Sequence, residues 1–127
     1  MKIQLEGWKV QSLDFKMKDE HKKGNDSFQL KVGQLFPNDN KRTFVILFDI
    51  ALESNVFNLN FEAAFSFSVE NDITEEFISS NFPKINAPAI AFPYIRAYIS
   101  NLTLQSGFKP VILPSINFVK LSKEQDI

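Results

Sequence analysis

Residues 44–69 read FVILFDIALESNVFNLNFEAAFSFSV, and their periodicity decides the fold class. Phe57, Leu59, Phe61, Ala63, Phe65, Phe67 and Val69 recur at every second position, while Asn58, Asn60, Glu62, Ser66 and Ser68 fall between them. Period two puts the first set on one face of a β-strand and the second set in water. Before them, Phe44, Ile46, Phe48, Ile50 and Leu52 share a face. Val45, Leu47 and Ala51 make the opposite face of that strand partly apolar as well. Glu53-Ser54-Asn55 between the two runs is a short hairpin connection.

Upstream, Ile3, Leu5, Trp8, Val10, Leu13, Phe15 and Met17 are apolar, but their phase slips near Gly7 and again near Gln11-Ser12. Such slips predict one long strand broken by bulges. The wholly polar stretch Asp19 to Asp26 is a loop, and Phe28, Leu30 and Val32 open a further strand that ends at Phe36-Pro37. No connection is long enough for a helical crossover, so a four-stranded antiparallel meander is expected.

Downstream the period changes. Asp72-Ile73-Thr74-Glu75 has capping-box spacing, with Ile73 and Phe77 on one face of a short helix ending near Ser79-Ser80. A longer helix is expected from about Asn86, with Pro88 in its first turn, a stripe of Ala91, Ile95, Tyr98, Ile99 and Leu102, and Gly107 as terminator. Pro93 should kink that helix or mark its true start. Lys109 to Ser115 holds two prolines and is extended, and Ser115 is placed to cap a last helix from Ile116 to about Gln125. The expected fold is α+β, a single domain over residues 1–127, with an antiparallel sheet to residue 69 and helices from residue 70.

Composition narrows the function. The chain has 127 residues, no cysteine, 14 basic and 15 acidic residues, and 14 phenylalanines. That length supports a core without staples. Absence of cysteine removes disulfides and thiolate chemistry. A net charge of −1 gives no field for nucleic acid or anionic lipid. No apolar run approaches the ~20 residues of a membrane span, and Met1 to Trp8 alternates unlike a signal peptide, so a cytoplasmic location is expected. His21 sits alone beside Lys22 and Lys23, and Asp19, Glu20 and Asp26 share its loop as screened surface charge. Phosphate-binding glycine loops, nucleophile elbows and metal-ligand spacings are absent from the sequence. Neither catalysis nor a cofactor or metal is expected.

Residues 82–121 read FPKINAPAIAFPYIRAYISNLTLQSGFKPVILPSINFVKL. Ala91-Phe92-Pro93-Tyr94-Ile95-Arg96 is similar to the Phe-Pro-Tyr-Ala-Arg that opens the long helix of the SecB family of secretion chaperones. Gly107-Phe108-Lys109-Pro110 follows at the family's spacing. Leu113-Pro114-Ser115-Ile116-Asn117-Phe118 resembles the family's Leu-Ala-Pro-Val-Asn-Phe.

This resemblance implies a four-stranded sheet with two main helices, assembly as a dimer or tetramer, and ATP-independent holding of unfolded or precursor polypeptides. It also implies client contacts from Phe118 and Leu121 on the last helix, and an oligomer interface on the long helix, whose stripe includes Ile95, Tyr98, Ile99 and Leu102. Phe92, Pro93, Tyr94, Arg96 and Gly107 then shape the helix start and stop. Trp8 and Met17, at the phase breaks of the first strand, and Phe36, at a strand end, are further client-contact candidates. Phe44, Phe48, Phe61 and Phe65 are assigned to the core.

Family members that bind the translocase motor SecA present acidic residues on the first strand and on the wet face of the fourth. Here Ser12, Lys16, Asn58 and Asn60 stand there, which weighs against SecA as a partner. The loop from Asp19 to Asp26 is short and charged where the family carries an aromatic flap. The rival expectation is an adaptor of the same fold dedicated to one partner, for example an antitoxin. A small-ligand barrel would need more strands than the sequence offers.

Overall fold

The computed structural model describes residues 2–19 and 26–125, which form two compact units, Met1–Ile73 and Thr74–Ile127. The first is a four-stranded antiparallel sheet of β1 (Ile3–Met17), β2 (Ser27–Leu35), β3 (Thr43–Glu53) and β4 (Phe57–Val69). Both bulges of the first strand occur where the phase slips, between Leu5 and Gly7 and between Val10 and Ser12. Each inserts one residue, so the apolar series stays on one face. Ile3 pairs with Val69, Leu5 with Phe67, Trp8 with Phe65, Val10 with Ala63, Leu13 with Phe61, Phe15 with Leu59 and Met17 with Phe57. Without the first bulge Trp8 and Val10 would face the wrong side, and the second returns Leu13, Phe15 and Met17 to the phase of Ile3 and Leu5.

The strand order is β1-β4-β3-β2, which corrects the expected meander. Strands β2, β3 and β4 are joined consecutively, but β1 lies beside β4, giving a Greek-key order. Length accounts for this: β1 has 15 residues and β4 has 13, against 9 in β2, so β1 can pair along the whole of β4. The connection over residues 18–26 must span three strand spacings, about 14 Å, which is well within the reach of nine residues.

On the apolar face Phe44, Ile46, Phe48 and Ile50 of β3 and Phe57, Leu59, Phe61, Ala63, Phe65 and Phe67 of β4 are buried. Their rings interlock: Phe44 stacks on Phe67 at 5.3 Å, and Phe48 meets Phe65 edge-on at 5.4 Å. At the β3–β4 hairpin the Ser54 hydroxyl accepts from the Val56 and Phe57 amides, satisfying donors the ladder cannot reach.

The second unit holds α1 (Glu75–Ile78), a π-helical turn over Phe82–Asn86, α2 (Ala87–Gln105) and α3 (Phe118–Gln125). Both expected caps shift by two residues. Thr74, not Asp72, caps α1, its Oγ1 accepting from the Phe77 amide at 3.1 Å. Asp72 instead accepts from Arg42 Nε at 3.0 Å. Asn117, not Ser115, caps α3, its Oδ1 accepting from the Lys120 amide at 3.2 Å. In both cases the side chain that lies three residues before an orphan amide wins. Phe77 and Phe82 stack at 5.8 Å across the break between α1 and the π turn. Helix α2 runs through Pro93, which is therefore interior and not the start. The i−4 carbonyl it deprives of a donor belongs to Ala89, which is exposed to water.

At its end α2 closes in a Schellman motif. The Phe108 amide donates to the Thr103 carbonyl at 3.0 Å and the Gly107 amide to the Leu104 carbonyl at 3.1 Å. Gly107 has φ 92°, a left-handed conformation that needs glycine. Nothing lies within 4 Å of the site of a Cβ there, so Gly107→Ala tests backbone strain alone. It is expected to cost about 1–2 kcal/mol, read as a lowered urea midpoint with an unchanged m-value.

Beyond the motif, two polar groups of α2 hold the extended segment. The hydroxyl of Thr103, fully buried, donates to the Ile99 carbonyl at 2.9 Å and accepts from the Val111 amide at 3.0 Å. Arg96 Nε donates to the Leu113 carbonyl at 3.2 Å.

Candidate functional site: an open apolar shelf on the edge strand

Because β1 is an edge strand, one side of its backbone has no partner strand among the described residues. Its apolar side chains continue the buried face of β4, but they are less covered. Val10 is 38% exposed, Leu13 41% and Met17 69%, with Phe15 half-buried between the last two, so the shelf is most open at the Met17 end. Over that stretch every side chain on the apolar face is uncharged: Val10, Leu13, Phe15 and Met17 lie opposite Ala63, Phe61, Leu59 and Phe57. The charged neighbours Lys9, Asp14 and Lys16 pair with Ala64, Asn60 and Asn58 on the other face. Charge and greasy surface are thus separated by the pleat itself. The shelf runs roughly 20 Å at the ordinary rise of a strand. Lys18 anchors its open end, with Nζ 3.2 Å from Glu53 Oε1 and its amide donating to the Val56 carbonyl at 2.8 Å.

The predicted client contacts fall in several places. Trp8 and Met17 belong to this shelf. Trp8 is half-buried, its ring stacked on Phe65 at 4.9 Å and 3°, whereas Met17 stands in the open. Phe36 is half-buried against Phe44 at 5.9 Å. It follows Leu35, whose partner is Val45, at the end of the sheet away from Met17, so the structure does not bring these two together. Phe118 is buried, edge-on to Phe92 at 5.7 Å, and Leu121 is half-buried. Val10 and Leu13 were not singled out from the sequence, because an in-phase apolar residue reads as core until its strand is known to be an edge.

On α2, Ile95 and Ile99 are fully buried within the chain and Tyr98 and Leu102 half-buried. Those residues therefore point mostly away from solvent. The outward stripe is instead Ile90, Tyr94, Ala97, Asn101 and Leu104, spaced by alternating four and three residues, with Tyr94 49% and Leu104 54% exposed. That spacing matches the positions that meet when one helix packs on another. Phe92 is buried, Pro93 is exposed, Arg96 holds Leu113 and Gly107 makes the helix stop.

His21 and Glu20 lie outside the described residues, as does most of the Asp19 to Asp26 loop. Among the described residues no group of three or more His, Cys, Asp or Glu could hold a metal ion. No helix among the described residues is long and apolar enough to cross a membrane.

Comparison with known proteins adds a family and a fold. Residues 15–126 match the family described as preprotein translocase subunit SecB. The protein-export protein SecB of Anaplasma phagocytophilum is 30% identical over 101 residues, covering 70% of this chain and 63% of its own length. That of Magnetococcus marinus is 33% identical over 82 residues, covering 58% and 52%. The matches thus span about half to two-thirds of these relatives. Among solved structures, the SecB-like chaperone Rv1957 of Mycobacterium tuberculosis, in complex with a ChAD peptide from the HigA1 antitoxin, superposes with a TM-score of 0.71 at 20% identity. That superposition covers 91% of this chain and 88% of the other. A protein of unknown function from Streptococcus agalactiae superposes with a TM-score of 0.68 at 14% identity, covering 91% and 98%.

Proposed function

This chain belongs to the SecB family, and from that premise we propose that it is an ATP-independent holdase, a binding protein for unfolded polypeptides with no catalytic step. The observation that carries the reading is the uncharged shelf of Val10, Leu13 and Met17 on an edge strand. A client segment laid there buries its apolar side chains at roughly 25 cal/mol per Å² and adds main-chain hydrogen bonds along β1. Such binding acts on the unfolded state and not the native one, so mass action holds the client open without a nucleotide. The α2 stripe from Ile90 to Leu104 supports self-association, as a dimer or as a tetramer of two dimers.

The wet face favours a narrower role within this function. Lys16 faces Asn58, while Ser12 faces Glu62 and Asn60 faces Asp14, so each rung of β1 and β4 here carries at most one acid where a SecA contact would use several. Service to one dedicated partner, such as an antitoxin, is the second reading.

Light scattering tests both. The chain alone is expected at a multiple of 14.6 kDa, and addition of reduced, urea-released α-lactalbumin should yield a stable complex of higher mass. A monomer that leaves the unfolded protein to aggregate would refute the holdase. An oligomer that ignores α-lactalbumin, yet binds one partner stoichiometrically, would select the dedicated role.

A further inference from the structure

Sulfur is scarce in this chain. Its 127 residues include two methionines, Met1 and Met17, and no cysteine. Beyond the first residue, Met17 holds the only thioether, and no thiol stands ready to intercept an oxidant ahead of it. The fold places that group at the open end of the β1 shelf, where Met17 is the most exposed of the apolar side chains. It closes the β1–β4 ladder opposite Phe57, which is buried and meets Phe15 edge-on at 5.0 Å. Its neighbours on that face are therefore aromatic and uncharged, while its own side chain stands largely in water.

A peroxide oxidises such a side chain without help from a cofactor. A sulfur lone pair attacks one peroxide oxygen, the O–O bond breaks, and the S–O bond of a sulfoxide forms. The departing oxygen takes up the proton of the transferred one and leaves as water. Sulfur gives up two electrons and the peroxide accepts them. The product is polar, with a strong acceptor oxygen, where the thioether was apolar. In the free chain that oxygen stays hydrated, because Met17 is already exposed, so folding is little affected. A client segment laid over the shelf must strip the water away and offers apolar side chains in return. The penalty therefore falls on binding.

We infer that Met17 is an oxidant-sensitive modification site that loosens client capture while leaving the fold intact. The inference rests on the holdase reading and names a means of regulating the same shelf. Trp8, the shelf's other oxidisable side chain, is half-buried and stacked on Phe65 at 4.9 Å, so peroxide reaches Met17 first. Reversal needs a reductase that passes the sulfoxide oxygen to a dithiol, giving water and a disulfide. With no cysteine of its own, the chain depends on another protein for that step.

Treatment of the full chain with hydrogen peroxide, removed before any client is added, tests this, with peptide mass mapping to follow the oxygen gained at Met17. Capture of reduced α-lactalbumin should weaken roughly five- to tenfold, the urea midpoint should stay in place, and methionine sulfoxide reductases acting on both epimers should restore capture. Whatever its own affinity, Met17→Leu should capture equally before and after peroxide. Met17→Gln, polar and of similar length, should show the weakened capture without any peroxide. Complete oxidation at Met17 with undiminished capture would overturn the inference, as would an equal loss in Met17→Leu. A Met17 that resists peroxide while free methionine is consumed would do the same. If the untreated chain ignores α-lactalbumin, the holdase reading fails and takes this inference with it. If untreated and oxidised chains capture it equally, the inference fails alone.

Discussion

Replacing Phe61 by alanine is expected to remove about 3–5 kcal/mol of stability. Phe61 is fully buried, in the middle of β4, and is flanked in register by Leu13 on one side and Ile50 on the other. Both neighbours are fixed by their own ladders, so the sheet cannot close over the lost ring and a cavity stays. For a chain of this size the loss is a large share of the 5–15 kcal/mol that a domain ordinarily has. In a calorimeter the transition should fall by roughly 10–20 °C. Met17→Ala on the same face, at 69% exposure, serves as the comparison and should move it by no more than a degree or two. Equal shifts in the two variants would contradict the graded burial from β4 to the open end of β1.

The second large effect concerns binding and leaves the fold in place. A Leu13→Lys, Met17→Lys double variant puts two charges on the part of the shelf that is otherwise uncharged. Both side chains are already substantially in water, so far-ultraviolet circular dichroism and the urea midpoint should change little. Capture of reduced α-lactalbumin should weaken roughly 30- to 100-fold. That factor corresponds to about 2–3 kcal/mol of lost side-chain burial. Undiminished capture by a folded double variant would show that clients bind elsewhere on the chain.

Much of this architecture is legible in the sequence because β-strands announce themselves by phase. The slips at Gly7 and Gln11-Ser12 located both bulges of β1 before any pairing was known, and the run from Phe57 to Val69 gave β4 its bounds. What was lost in each case depends on information outside the local pattern. Strand order is one example: an apolar series says which face is buried, but not which neighbour lies beside it. So β1 was placed next to β2 when its partner is β4. Helix caps are another, since Asp72 and Thr74 are equally good caps by type. The choice between them turns on Arg42, thirty residues away, which takes Asp72.

The exposed stripe of α2 was obscured for a third reason. The helix has one charged residue, Arg96, in nineteen, so apolar positions occur all round it and no single face stands out. Ile95 and Ile99 read as well as Ile90 and Leu104 for an outward stripe until burial separated them. The open shelf had the same difficulty in weaker form. Trp8 and Met17 were identified by their positions near phase breaks, while Val10 and Leu13 became visible only once β1 was seen to end the sheet.

The two bulges of β1 have a consequence for what can grow on that edge. A flat strand with a strict alternation offers its free side as a template, and identical segments can stack on it without limit. Glu6 and Gln11 each interrupt that regularity and add local twist, so a strand laid against β1 meets a break every few residues. The regular stretches are Ile3 to Leu5, Gly7 to Val10 and Ser12 to Met17, so it can pair for six residues at most before it must lift off or carry a matching irregularity. Long stretches of ordinary β-forming sequence are therefore poor continuations of this sheet, and short ones are tolerated. An edge interrupted in this way is a poor seed for a fibril.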